Sequence, residues 1–128
     1  LEKNKKMQIK FLGKKNNDQL PYYYNKSRAY VICSKVEGNP KSLLEAMACK
    51  CPIVGTNVDG IKDLIVNKKN GLLSSQNTKS LKNSILKILN NKKLSENLSI
   101  NALNYVKKNN SISNFLKYEI KTILKYAN

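Results

Sequence analysis

Two carboxylates in a chain poor in acid are where this sequence could do chemistry. Glu37 and Glu45 lie within S-K-V-E-G-N-P-K-S-L-L-E-A-M-A-C-K-C-P, residues 34–52, in a protein with 8 Asp and Glu against 24 Lys and Arg. Glu45 is set among Leu43, Leu44, Ala46, Met47, Ala48 and Cys49. Burying an unpaired carboxylate costs several kcal/mol, so Glu45 is expected to face a cleft or a partner. Adjacent sugar hydroxyls would suit it, since one carboxylate can accept from two of them. Glu37, eight residues earlier, would face the group attached beyond any bound phosphates.

Between the two acids the sequence describes a helix start. Asn39 reads as the N-cap, and Pro40 suits the first helical position, where a missing N–H is no loss. The amides of Lys41, Ser42 and Leu43 would then point out of the helix and form an anion site. Lys41 has two readings. A cation in the first turn opposes the helix dipole by about 0.3–1 kcal/mol, which an anionic ligand would reverse. Otherwise it is a solvated lysine paired with Glu45, in the weaker Lys-before-Glu orientation.

The elements that must position these residues follow from hydropathy. Residues 7–13 alternate and end at Gly13, which predicts a strand. Residues 18–26 predict a short helix or turn, and 29–34 a strand covered on both faces. A helix is expected over 40–49, a buried strand over 52–56, one or two helical turns over 61–66 and a short strand over 71–74. Apolar residues then recur at helical spacing over 78–90, 94–108 and 112–127, with lysines opposite. Strands separated by helices imply an α/β fold: a parallel sheet with flanking helices, followed by a helical C-terminal tail. We divide the chain into an α/β domain over 1–90 and a helical tail over 91–128 that packs on it. A strand ending at Ser34 puts the Glu37 loop at the carboxyl edge of the sheet, where open α/β folds bind ligands.

Composition narrows the function classes. At 128 residues and 41% hydrophobic content the chain can bury a core, and its longest apolar run is far too short to span a bilayer. No secretory signal is expected behind Leu1-Glu2-Lys3-Asn4-Lys5-Lys6, and a first residue other than Met hints at missing upstream chain. The net charge of +16 comes from 23 Lys and Arg28, and Asn is also abundant at 19 residues. Lys and Asn rise together in AT-rich coding sequence, although such charge also attracts anionic phospholipid. Nucleic-acid readers rely on Arg for bidentate contacts, so nucleic acid is not an expected partner. Three cysteines without a histidine do not make a metal site, and Cys33, Cys49 and Cys51 are expected to be buried, reduced thiols of a cytoplasmic protein. The absence of G-x-G-x-x-G and Walker sequences argues against a dehydrogenase or a P-loop enzyme.

The ordered series of motifs resembles the C-terminal domain of the retaining family 4 glycosyltransferases, which have the GT-B fold. Glu37 and Glu45, with seven residues between them, resemble that family's paired-glutamate motif. The surrounding S-K-V-E-G and L-E-A-M-A are similar to its wording. So are P-I-V-G-T-N-V-D-G (52–60), Asp63-Leu64-Ile65 and Asn70-Gly71-Leu72-Leu73, and the segment 20–29 before the central strand. The likeness runs from about Gln8 to Leu89.

The resemblance implies that Glu45 binds the ribose hydroxyls of a donor nucleotide, and that the amides around Lys41, Ser42 and Leu43 hold its diphosphate. It places Glu37 beside the donor sugar and the reacting anomeric centre, with Gly38 and Asn39 in the donor-sugar loop. Implied partners are a nucleoside-diphosphate sugar, a glycan or lipid-linked acceptor, and an N-terminal domain that this chain lacks. No cofactor and no metal are implied. The upstream Arg and Lys of the family, and the first strand of the domain, are also lacking, so no turnover is expected from this chain alone. Lys50 stands where the family usually has Gly after the helix, and Asn39-Pro40 replaces a frequent Phe-Gly. Two other readings remain open: a non-catalytic nucleotide-sugar or partner-binding module of the same fold, and a basic domain that binds anionic membrane. Peripheral attachment to the cytoplasmic membrane face is compatible with the first reading as well. Tyr105, Phe115, Tyr118 and Tyr126 are read as packing residues, as are Tyr22, Tyr23 and Tyr24, of which the last could line a nucleotide cleft.

Overall fold

Ile53 and Val54 are neighbours in the chain and both fully buried, yet they belong to separate apolar clusters. Successive residues of a strand point to opposite faces, so this pair requires cover on both sides of the sheet. The computed structural model describes residues 8–111 together with Ser113, Asn114, Leu116 and Ile120.

Within these residues the order is α1 (Leu20–Lys26), β1 (Tyr30–Ile32), α2 (Lys41–Ala48), β2 (Ile53–Thr56), β3 (Leu72–Ser74), α3 (Thr78–Asn90) and α4 (Lys92–Asn109). The strands form one parallel sheet in the order β1-β2-β3, with Val31 opposite Val54 and Val54 opposite Leu72. One cluster joins Ile53 and Ile32 to Leu43, Ala46 and Met47 of α2, and to Ile61 and Ile65 of the turns after β2. The other joins Val54 and Leu72 to Ile88 of α3 and Leu98 of α4. The helix α4 contributes to both, since Ala102 is buried in the first cluster. The architecture is therefore a parallel α/β sheet flanked by helices, as the alternation of strand and helix patterns implies.

Helices α3 and α4 start where asparagine side chains supply a missing acceptor. Asn77 Oδ1 accepts from the Ser80 amide at 2.8 Å, and Asn91 Oδ1 from the Leu94 amide at 2.9 Å. The end of α2 is a Schellman turn: the Cys51 amide donates to Ala46 O and the Lys50 amide to Met47 O, each at 3.0 Å. That turn holds Lys50 at φ 56°, the left-handed conformation in which glycine is the least strained residue.

Two sequence expectations need correcting. Residues 8–13 carry the alternating pattern of a strand but pair with no strand among the described residues, and Ile9 and Phe11 are 72% and 92% exposed. Alternation specifies a strand only where a neighbour supplies the ladder and a face takes the apolar side chains. The segment 29–34 forms only the three-residue β1, an edge strand among the described residues, and Val31 is exposed rather than covered. The helix expected over 112–127 lies outside the described residues apart from Ser113, Asn114, Leu116 and Ile120, which are helical. Phe115, Tyr118 and Tyr126 also lie outside them. Tyr105 packs against the first cluster.

Candidate functional site

Parallel strands all end on the same side of their sheet, so the loops after β1, β2 and β3 converge at one edge. The tie between the first two is short: Thr56 Oγ1, buried at the end of β2, donates to Ser34 O at 2.7 Å. Ser34 Oγ in turn donates to Glu37 Oε2 at 3.0 Å, which orients the carboxylate in the loop after β1. Gly60, at φ 76°, closes the loop after β2 onto the same place. A Cβ built there would strike the carbonyl oxygens of Glu37 and Gly38. The Glu37 loop is thus held from below by a hydroxyl and from the side by bare backbone.

This edge opens into two clefts. One, of about 250 Å³, is lined by Glu37, Lys35, Val36, Asn57, Val58, Asp59, Lys62 and Gln76. The other, of about 190 Å³, lies among Cys33, Lys35, Thr56, Ser75, Asn77 and Thr78. Larger recesses flank α4, at about 570 Å³ beside Lys87 and Leu94 and about 390 Å³ beside Lys69 and Tyr105. Neither of the larger ones is lined by a carboxylate, so volume and chemistry point to different places. We favour the chemistry, because specific recognition comes from a few placed polar groups.

The start of α2 differs from the expectation in one respect. Asn39 does not cap it; Pro40 occupies the cap position with extended ψ of 92°, no side chain caps the helix, and Lys41 is its first residue. Asn39 and Gly38 are exposed in the loop. The reason is steric: proline fixes its own φ and pushes the residue before it toward extended backbone, which carries the chain into the helix without an Asx bond. The Leu43 amide is occupied, donating to Pro40 O at 3.0 Å. The Lys41 and Ser42 amides have no acceptor among the described residues. Lys41 is exposed and makes no ion pair with Glu45.

Glu45 sits one turn further along α2 and is half-buried. Tyr24 Oη, from α1, donates to its Oε2 at 3.1 Å. Tyr30 Oη and Ser42 Oγ share a hydrogen bond of 2.8 Å, and the Tyr24 and Tyr30 rings meet edge to face at 5.7 Å. Burial, and then the bond to Glu45, raise the Tyr24 pKa well above the ordinary phenol value, so its hydroxyl remains a donor. Burial is also the main cause of the raised Tyr30 pKa; the Ser42 bond lowers it, and the charges of Glu37 and Glu45 both raise it. The two glutamates therefore converge electrostatically on the Tyr30–Ser42 pair at the start of α2. Of the three cysteines expected to be buried, only Cys51 is, which pushes its thiol up to about 11; burial followed by Glu45 raises the half-buried Cys49, while Cys33, just past the end of β1, is exposed.

A family model described as glycosyl transferases group 1 matches residues 1–105. The chain belongs to that family. It is 34% identical over 107 residues to an uncharacterized glycosyltransferase of Methanocaldococcus jannaschii, a match covering 83% of this chain and 30% of the relative. A crystal structure of the C-terminal domain of a glycosyl transferase group 1 family protein from Francisella tularensis superposes with TM-score 0.71 at 25% identity, over 81% of this chain and 53% of that one. The sucrose-phosphate synthase of Thermosynechococcus elongatus shares the fold with TM-score 0.84 at 24% identity, over 93% of this chain and 31% of that one. The glycosyltransferase chain described here thus has the fold of a GT-B C-terminal domain, and it spans less than a third of the curated relative it matches.

Sequence reasoning singled out both glutamates as candidates but missed much of what surrounds them. Tyr24 lies 21 residues from Glu45, so no local spacing links them. Tyr30 and Ser42 are similarly 12 apart. Gly60 carried a signal, a glycine four residues past a buried strand, but only contact with the Glu37 loop gives that glycine its role. Tyr22, grouped with the packing tyrosines, is 59% exposed and carries Lys26 over its ring.

Proposed function

We propose that this chain is the donor-binding part of a retaining glycosyltransferase that moves a sugar from a nucleoside-diphosphate sugar to a glycan or lipid-linked acceptor. The observation carrying this reading is the half-buried Glu45, tethered through one oxygen beside the uncapped start of α2. Its carboxylate accepts the ribose hydroxyls. The Lys41 and Ser42 amides and the Lys41 ammonium face the diphosphate; Leu43 contributes packing there, because its amide is already bonded. Glu37, with Gly38 and Asn39, lies beside the donor sugar at the anomeric centre. Diphosphate is the leaving group, so the main catalytic task is to stabilise the charge that develops on it, which open amides and a helix N-terminus do well. In this proposal the donor site uses no metal and no cofactor, and acceptor binding and turnover require a further domain. Contact with the anionic cytoplasmic face of a membrane, through the lysine excess, is part of the same proposal; none of the described helices is long and apolar enough to cross a bilayer.

Calorimetric titration of the chain with uridine, guanosine and adenosine diphosphates tests the donor site. At least one should bind, with affinity unchanged by a chelator and reduced about tenfold or more by Glu45→Gln. Silence with all three would remove the proposal. In a whole enzyme containing this domain, Glu37→Gln should abolish most sugar transfer while sparing nucleotide binding. Unaltered transfer would favour the non-catalytic module instead.

A further inference from the structure

Only one of the two Glu45 oxygens is engaged. Tyr24 Oη holds Oε2 at 3.1 Å, while Oε1 has no partner among the described residues and retains contact with solvent. A glutamate side chain has several rotatable bonds, and without a tether its carboxylate samples many directions. The tether here is itself fixed. The Tyr24 ring packs against the first core cluster and stands edge-on to Tyr30, which is tied to Ser42 at the start of α2. Helices α1 and α2 are thereby linked through a phenol whose one acceptor among the described residues is the carboxylate proposed to grip the ligand.

We propose that Tyr24 is a positioning residue: by holding Oε2 it aims Oε1 at the vicinal hydroxyls of the nucleotide ribose and sets the preference for ribo- over deoxyribonucleotides. This rests on the donor-site reading of Glu45. Strong discrimination between a hydroxyl and its absence requires an acceptor already in place, because a floppy one loses entropy on binding and is cheaply resolvated when the hydroxyl is missing.

The test is calorimetry on the chain with whichever of the three diphosphates binds, and with its 2′,3′-dideoxy counterpart. The unmodified chain should prefer the ribonucleotide about tenfold or more. Tyr24→Phe should bring the two ligands within about twofold of each other, chiefly by weakening the ribonucleotide. Tyr22→Phe, which removes an exposed hydroxyl bonded to Lys26, should leave the ratio intact. The double variant Tyr24→Phe/Glu45→Gln should lose no more preference than Glu45→Gln alone, whereas additive losses would overturn the inference. Thermal melts confirm that each variant is folded. If Tyr24→Phe weakens both ligands equally and keeps their ratio, the hydroxyl only supports the fold and the inference fails while the donor site stands. If the unmodified chain binds a diphosphate without ribose preference, Glu45 does not read hydroxyls and this inference falls with that assignment. If no nucleotide binds, the donor-site reading itself fails.

Discussion

The starts of α2 and α3 both lie at the carboxyl edge of the same sheet, and they are capped differently. At α3, Asn77 caps the Ser80 amide, and Ser80 Oγ returns the favour by accepting from the Ser75 amide at 3.1 Å. At α2, proline occupies the cap position and no side chain answers the first amides; each helix carries a lysine in its first turn against the dipole, Lys41 in α2 and Lys79 in α3. The first arrangement adds a side-chain cap on the third amide, although the Thr78 and Lys79 amides, like those of Lys41 and Ser42, have no acceptor among the described residues. The second has no side-chain cap, and the loop and helix around it carry two carboxylates and a pair of hydrogen-bonded hydroxyls. A side-chain cap is present at α3 and absent at the helix start proposed to bind the donor.

The largest test of that contrast is Gly60→Ala. It forces a side chain into left-handed backbone and against the Glu37 and Gly38 carbonyls, so it should cost about 2–4 kcal/mol in chemical denaturation and loosen the Glu37 loop. Asn77→Ala and Asn91→Ala should each cost about 1 kcal/mol, with nucleotide affinity unchanged in calorimetry. A loss of nucleotide binding in Asn77→Ala would show that the two helix starts are not as separate as described. Lys50→Gly should stabilise the chain by about 1 kcal/mol, relieving the left-handed lysine after α2. Smallest in stability is Lys41→Ala, for which the two readouts should move in opposite directions. Removing a first-turn cation should stabilise the free chain by about 0.3–1 kcal/mol and weaken diphosphate binding. A destabilised Lys41→Ala would break the comparison at its core.

How far the sequence could be read differs sharply between elements. The bounds of α3 were legible as residues 78–90 because Leu81, Ile85 and Leu89 recur at helical spacing with lysines opposite, a pattern carried within the segment itself. β2 was legible because its apolar residues are contiguous and end at Gly and Thr. Residues 8–13 have as good an alternating pattern as many strands, but a ladder is a property of two segments and the pattern records only one. The cap of α2 was misread for a related reason: Asn39 is a favourable residue type, and the backbone direction imposed by Pro40 made it irrelevant.

Taken alone, the sequence determined that this is an α/β chain with two acidic residues around one helix start and a family resemblance to glycosyltransferases. Those are properties of residue type, period and short-range order, and they survive without coordinates. Tertiary structure decided what surrounds the acids: Tyr24 on Glu45, Ser34 under Glu37, Gly60 against the loop, and an edge position for β1. Apart from Ser34 and Glu37, which are three residues apart, these pairings join residues distant in the chain, and their geometry is set by how helices pack on both faces of a parallel sheet. One-dimensional spacing can bring a carboxylate to the mouth of a cleft, but only packing aims it.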